Sequence, residues 1–155
     1  MKKTLLYLFL PIILFLSGCK SNNDYEIYYP FKNQTWDRFN FLQFEIPIER
    51  TEGLYDVLLF VRHTQAFEFD NLDFHMIMKT PSGEERIREY SMNIRRKDGG
   101  FTGQCSKDSC EATIILKKEL KLAKGTLSIQ LENVVPRLHL GGLLGLGIRV
   151  SPAGK

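Results

Sequence analysis

Apolar and polar residues alternate one by one along several segments of the 155-residue chain, and this pattern constrains the fold more than any other feature. In residues 42–48 the side chains of Leu42, Phe44, Ile46 and Ile48 occupy every second position. Successive side chains of a β-strand point to opposite faces, so this alternation predicts a strand with one buried face. The same pattern recurs in four further segments: residues 72–79, 85–94, 126–131 and 144–150.

Turn-forming residues separate these segments. Pro81-Ser82-Gly83 predicts a turn that joins residues 72–79 and 85–94 into a hairpin, because proline presets the first bend and glycine tolerates a positive φ. Further turns are predicted at Glu52-Gly53 and at residues 97–100. Frequent turns between about eight short strands, with little helix, predict an all-β fold: a single antiparallel β-sandwich of jelly-roll or immunoglobulin-like topology.

Three segments carry more particular expectations. Residues 54–63 are the most apolar of the predicted strands and are expected to be central and covered on both faces. Pro47 cannot donate a ladder hydrogen bond, so its strand is expected to lie at an edge of the sheet or to end there. Residues 116–124 are rich in Leu, Lys and Glu, so they are compatible with either a strand or a short helix.

The N-terminus carries an export signal. The basic pair Lys2-Lys3 precedes an apolar run, residues 5–16, which small residues follow just before Cys19. This order is typical of a secretory signal peptide, and its last residues, Leu16-Ser17-Gly18-Cys19, form a bacterial lipobox. We therefore expect residues 1–18 to be a cleaved lipoprotein signal peptide and Cys19 to be acylated as the first residue of the mature chain.

The predicted anchor is a lipid rather than a spanning helix. A span needs about 20 apolar residues, and this apolar run is shorter. Two or more acyl chains on one cysteine anchor a protein stably, since each buried CH₂ contributes about 0.8 kcal/mol. Residues 19–24 are then the lipidated N-terminus and a polar tether, and residues 25–155 form the β-sandwich domain.

Charge argues against nucleic acid as a partner. The full chain has 21 Lys and Arg against 18 Asp and Glu, and a formal net charge of +3. Removal of Lys2 and Lys3 with the signal peptide leaves 19 basic residues, so the mature chain is close to neutral at +1. Nucleic-acid binding requires a concentrated basic field, which this composition does not provide.

Two cysteines remain in the mature chain besides Cys19. Cys105 and Cys110 are separated by four residues, a spacing that suits a turn between two strand ends. The exported location permits disulfides, so a Cys105 to Cys110 bond is predicted, with free thiols as the alternative. Zinc would need two further ligands, and no histidine neighbours the pair, so no metal and no cofactor is predicted.

The sequence offers no catalytic residue. His63, His75 and His139 are isolated from one another, and neither a G-x-S-x-G elbow nor an H-E-x-x-H motif is present. The opening of the domain is rich in aromatic residues, which are typical of the packed edge of a small core. The other interpretation is a sugar-stacking platform, with Tyr28 and Trp36 as the candidate ligand-stacking residues.

Several short motifs together resemble a known family. They are the lipobox, Tyr25-x-x-Tyr28 with Phe31 and Trp36, residues 55–62, Asn71, Pro81-Ser82-Gly83, Gly142-Leu143 and Gly147-Ile148-Arg149. With these motifs the chain resembles, over essentially its whole length, the GldH family of gliding-motility lipoproteins of Bacteroidetes.

The resemblance implies a non-enzymatic envelope lipoprotein associated with the gliding machinery and, through it, with type IX secretion. Its implied partners are envelope proteins of these machineries, and Cys19 is the only functional position that transfers. Lys20, rather than aspartate, follows Cys19, which favours the outer membrane over the inner one. The alternative hypothesis is an envelope module that binds glycans or another ligand.

Overall fold

The computed structural model describes residues 24–154, apart from the side chain of Thr51. The predicted signal peptide, Cys19 and most of the tether therefore lie outside the described residues. Within this range no helix is long and apolar enough to cross a membrane. The described strands are β1 Tyr25–Pro30, β2 Thr35–Asp37, β3 Leu42–His63, β4 Asn71–Lys79, β5 Glu85–Asn93, β6 Gln104–Cys105, β7 Cys110–Asn133, β8 His139–Gly141 and β9 Leu143–Pro152, with one 3-10 turn at Lys32–Gln34.

All strand pairs are antiparallel, and the structure confirms the predicted all-β sandwich. Seven strands form one sheet in the order β1-β9-β3-β7-β4-β5, with β6 beside β7, and β2 pairs with β8 in a second sheet. The first half of β3 pairs only with β7, whereas its second half lies between β7 and β9. The second half of β7 pairs with β4. The two long strands thus pass from one layer of the sandwich to the other.

The long strands replace pairs of short strands that the sequence predicts. The prediction of a chain reversal at Glu52-Gly53 is wrong, because β3 continues through these residues with a register shift after Ile48. Such irregularities bend a strand without ending it. Pro47 lies in the half of β3 that has a single neighbour, which agrees with the predicted edge position.

Residues 116–124 are strand rather than helix. Leu116, Leu120 and Leu122 are buried in the core of the sandwich, so tertiary packing overrides the helical propensity of this segment. A register shift falls between Leu120 and Lys117, where Glu119 has a left-handed φ of 50°. The backbone N–H of Glu119 donates to Asp56 Oδ1 at 2.9 Å, which gives the bulge a fixed partner on β3.

The two layers enclose one core. Alternate residues of the central half of β3, namely Tyr55, Val57, Leu59 and Val61, are buried in it as predicted. The hairpin of β4 and β5 is confirmed, with Gly83 at a φ of +88° in its turn. The small sheet of β2 and β8 is attached to the same core.

Candidate functional site

Phe60 is buried although its side chain lies on the outward side of the sheet. Its neighbours Leu59 and Val61 belong to the core, so the alternation of β3 directs Phe60 away from the core. Its side chain is nevertheless 0% exposed. Tyr28 of β1 stacks on the Phe60 ring with a centroid distance of 5.9 Å and an interplanar angle of 8°. Gly147 lies between them in register, opposite both residues.

Two guanidinium groups complete the cover over Phe60. The Arg149 Cζ lies 4.8 Å from the Phe60 ring centroid, and the Arg62 Cζ lies 5.5 Å from it. Arg62 also lies 4.9 Å from the centre of the Tyr28 ring. A cation over an aromatic face is attracted by the ring quadrupole, by about 0.5–1 kcal/mol at an exposed site. We call Tyr28, Phe60, Arg62, Gly147 and Arg149 the outer-face cluster.

Carboxylates fix both guanidinium groups. The Arg62 Nε donates to Glu111 Oε2 at 2.9 Å, and the Arg149 guanidinium lies 2.8 Å from Glu26 Oε2. The hydrogen bond that Arg62 donates to Glu111 raises the pKa of Arg62. Burial raises the pKa of Tyr28, and the positive charge of Arg62 opposes this shift. Together with Glu26 and Glu111, the cluster therefore forms a charge-compensated surface that joins β1, β3, β7 and β9.

The outer-face cluster unites several motifs that carry the family resemblance. Tyr28, residues 60 and 62 of the apolar β3 segment, and the Gly147-Ile148-Arg149 motif lie far apart in sequence. The register of β1, β9 and β3 brings them together. The sequence alone shows these residues as separate motifs, since nothing local indicates which strands pair.

The structure places the two candidate stacking residues differently from a sugar platform. Trp36 is 0% exposed, stacks on Phe31 at 5.7 Å, and donates its indole N–H to the carbonyl oxygen of Asn40 at 2.9 Å. Its ring therefore has no face open to a ligand. Tyr28 is half-buried and is engaged by Phe60 and Arg62 in the outer-face cluster.

Cys105 and Cys110 are directly opposite each other in the pairing of β6 with β7. Their sulfur atoms are bonded in the structure, and the bond closes the tight turn between the two strands. Within the turn the Ser106 N–H donates to the Ser109 carbonyl oxygen at 2.8 Å. Cys110 is buried, whereas Cys105 is exposed. The bond therefore ties the exposed turn to an inward position of β7.

The three histidines lie in three different environments. His63 is buried at the end of β3, with the Phe101 ring at 4.8 Å. His75 on β4 lies 3.0 Å from Glu89, and His139 on β8 lies 2.7 Å from Asp37. Among residues 24–154, no three His, Cys, Asp or Glu side chains are grouped as metal ligands would be.

Sequence reasoning did not identify the contact between Asp37 and His139. The two residues are 102 positions apart, and each belongs to a strand of only three residues. Strands this short carry too little alternation to be recognised, and their pairing depends on how the long strands place them. No local signal in the sequence would have revealed this contact.

Comparison with known proteins agrees with the resemblance seen in the sequence. A family profile described as GldH lipoprotein matches residues 23–150. The chain is 22% identical over 130 residues to the gliding motility lipoprotein GldH of Flavobacterium johnsoniae, a match that covers 79% of this chain and 81% of that protein.

Solved structures show weaker similarities. One is CBM35 from Cellvibrio japonicus Abf62, with a TM-score of 0.34, 16% identity, and coverage of 72% of this chain and 70% of that one. Another is dimeric latent PorU from Porphyromonas gingivalis, with a TM-score of 0.33, 8% identity, and coverage of 85% and 13%. Neither similarity supports a functional inference. The family match, which spans the whole β-sandwich up to Val150, shows that the chain belongs to the GldH lipoprotein family, a family of gliding-motility lipoproteins anchored by lipid in the cell envelope.

Proposed function

We propose that this protein is a non-enzymatic accessory lipoprotein of the gliding-motility machinery linked to type IX secretion, acylated on Cys19 and held at the outer membrane. The observation that carries the proposal is the family match over residues 23–150, which begins just after the lipobox. The proposed domains are the signal peptide 1–18, the lipidated tether 19–24 and the β-sandwich 25–155.

The proposed anchor explains how a small β-sandwich would work at a membrane. Acyl chains on Cys19 would bind the bilayer through their buried CH₂ groups, at about 0.8 kcal/mol each. A polar tether of a few residues would then keep the domain close to the membrane surface. Lys20 supports the outer membrane, since aspartate at this position retains lipoproteins at the inner membrane of enteric bacteria.

A structural rather than catalytic role is supported by the arrangement of the side chains. The three histidines lie in separate environments, and the outer-face cluster holds its charges in compensated pairs. Aromatic residues and arginine are enriched at protein–protein interfaces, and the outer-face cluster presents both. We therefore propose that the partners are envelope proteins of the gliding and secretion machinery.

The anchor is tested in a gliding host that lacks its own copy of the gene. Wild-type protein and Cys19→Ala are expressed with an alkyne analogue of palmitate, and the double variant Cys105→Ala, Cys110→Ala is the matched cysteine control. We expect label, outer-membrane density and gliding for the wild type, and loss of all three for Cys19→Ala. The control is expected to keep its label, because its changes leave the lipobox intact.

Partners are identified by photo-crosslinking from exposed apolar positions on the two layers. Ile115 is 45% exposed on one layer, and Ile87 is 60% exposed on the other. Capture of a gliding or secretion component from either position, and its loss in Cys19→Ala, would support the proposal. Label that persists in Cys19→Ala, or crosslinks to no envelope protein, would contradict it.

A further inference from the structure

The small sheet of β2 and β8 presents one polar face to the outside. Trp36 and Leu140 are opposite each other in register and are both buried, so these side chains attach the sheet to the core. The alternation of the strands turns Asp37 and His139 outward, where they contact each other at 2.7 Å. Beside them, the space around Gly141 is open, since a side chain there would meet nothing within 4 Å.

An aromatic wall borders this face on one side. A cavity of about 520 Å³ is lined by Asp37 and His139 together with Tyr29 and Phe31. The wall continues inward, because Phe31 stacks on the buried Trp36 at 5.7 Å and Tyr29 lies 5.9 Å from Phe31. Tyr29 is 43% exposed, so the core presents an aromatic surface to the solvent at this point.

A second cavity borders the same face on the other side. It measures about 390 Å³ and is lined by Phe69, Glu68 and Arg137, among others. His139 lines both cavities. The two cavities therefore adjoin at His139 on the outward face of β2 and β8, and each has aromatic and polar side chains in its lining. We call these two adjoining cavities the β2–β8 trough.

The backbone beside the trough is held in unusual conformations. Of the four non-glycine residues with positive φ among residues 24–154, three are Asn33, Gln34 and Phe39, with φ of 55°, 53° and 68°. The bond from the Trp36 indole to the Asn40 carbonyl oxygen at 2.9 Å closes the turn that contains Phe39, and the Thr35 hydroxyl donates to the Asn33 carbonyl oxygen at 3.0 Å. Left-handed backbone at non-glycine residues is uncommon and concentrates at ligand sites, where the surroundings hold it in place.

We propose that the β2–β8 trough binds a neutral oligosaccharide. Sugar rings present C–H faces that pack on aromatic side chains, here Tyr29 and Phe69, and hydroxyl groups that both donate and accept hydrogen bonds. Asp37 accepts such bonds, and the contact with Asp37 orients the His139 ring. A concave site with aromatic walls and a few convergent polar groups is the usual form of a small-molecule site.

The charges of the trough favour a neutral ligand. Asp37 and Glu68 contribute two negative charges, and Lys32 and Arg137 contribute two positive charges to the linings of the two cavities. This balance gives no net attraction to a polyanion or a polycation. The linings of the trough include neither Tyr28 nor Trp36, the stacking residues that the sequence suggested. The proposal does not depend on the proposed role in gliding.

The test titrates four neutral oligosaccharides into the purified full-length lipoprotein in detergent micelles. The probes are maltotetraose, cellotetraose, xylotetraose and tetra-N-acetylchitotetraose, and binding is measured by saturation-transfer difference NMR. We expect saturable binding of at least one probe, weakened by about tenfold or more in Tyr29→Ala and in Asp37→Ala, a factor equal to about 1.4 kcal/mol.

His75→Ala is the matched control. His75 also contacts a carboxylate, Glu89 at 3.0 Å, and is 41% exposed, but it lies on β4 away from the trough. This variant is expected to bind the probe like the wild type, and thermal unfolding checks that every variant is folded. Absence of binding for all four probes, equal binding by the trough variants, or equal loss in His75→Ala would overturn the proposal. Because the test needs neither motility nor secretion, its outcome is separable from that of the proposed function.

Discussion

At the scale of single residues, the outer-face cluster depends on a glycine that has no room for a side chain. A Cβ atom on Gly147 would overlap the Phe60 ring and would lie 2.8 Å from the Ile27 carbonyl oxygen. Overpacking of this kind costs about 1–3 kcal/mol. We expect Gly147→Ala to lower the free energy of unfolding by that amount in urea denaturation.

Gly141→Ala is the matched control, because a Cβ there meets nothing within 4 Å. It is expected to change stability little. Shortening the opposing ring should restore part of the loss, so the double variant Gly147→Ala, Phe60→Leu should be less unstable than the two separate effects predict. Equal stability of Gly147→Ala and the wild type would mean that Phe60 is not packed against this position.

His63 is the residue from which we expect a pH effect. Its ring is buried beside Phe67 and Phe101, and Nδ1 lies 2.9 Å from the Thr64 carbonyl oxygen. Burial lowers its pKa from the ordinary value of 6.5, and the charge of Arg95 acts in the same direction. The unfolded chain therefore binds a proton more readily than the native state, so stability falls as the pH falls below about 6.5.

Denaturation of the wild type and of His63→Phe at pH 7.5 and at pH 5.5 measures this effect. The variant keeps an aromatic ring but cannot be protonated, so its stability should fall less on acidification. The stability that the wild type loses in excess of His63→Phe should be at most about 1.4 kcal/mol for each pH unit. His75→Gln, on an exposed histidine, serves as the control, and identical pH dependence in wild type and His63→Phe would contradict the prediction.

At the scale of elements, the sequence predicts where strands occur better than where they end. Alternation identified both halves of β3, but Glu52-Gly53 has the composition of a turn and instead pairs with β7 directly after the register shift that follows Ile48. The same limit applies to residues 116–124, where local propensity allows a helix and burial of Leu116 and Leu120 selects a strand. Long strands that cross between layers depend on tertiary packing, which a local pattern does not contain.

The turn between β6 and β7 is the element whose stability should respond to reduction. Its two cysteines are five positions apart and directly opposite each other in register. Closing so short a loop reduces the entropy of the unfolded chain by an amount worth about 2 kcal/mol. We expect the double variant Cys105→Ser, Cys110→Ser to be less stable by about this amount in urea.

Alkylation followed by intact-mass measurement checks the state of the thiols before denaturation. The exported wild-type protein should resist alkylation at both positions until a reductant is added. If the wild type were alkylated without reductant, or if the double variant matched it in stability, the disulfide would not contribute to the stability of the exported protein.

At the scale of the whole molecule, the sequence predicts the class of the fold but not its sites. Glu26 and Arg149 meet because β1 pairs with β9, and Asp37 meets His139 because β2 pairs with β8. These contacts join the beginning and the end of the domain. They follow from strand order, which the pattern of a single sequence does not fix. The family resemblance can be recognised in the sequence because each of its motifs is a short local stretch that does not depend on strand pairing.

The same topology predicts where the domain begins. β1 forms an edge of the main sheet, pairs with β9 from Tyr25 to Pro30, and supplies the Tyr28 ring that covers Phe60. A chain of residues 24–155 should therefore unfold cooperatively with the same melting temperature as the mature protein, since it keeps all of β1. A chain of residues 31–155 should have a melting temperature lower by about 10 °C, the shift that a loss of ~3 kcal/mol in unfolding free energy produces in a domain of this size. Differential scanning calorimetry of the two chains distinguishes them. Equal midpoints would show that β1 belongs to the tether rather than to the cooperative unit, and a loss already present in residues 24–155 would place part of the domain before Asp24.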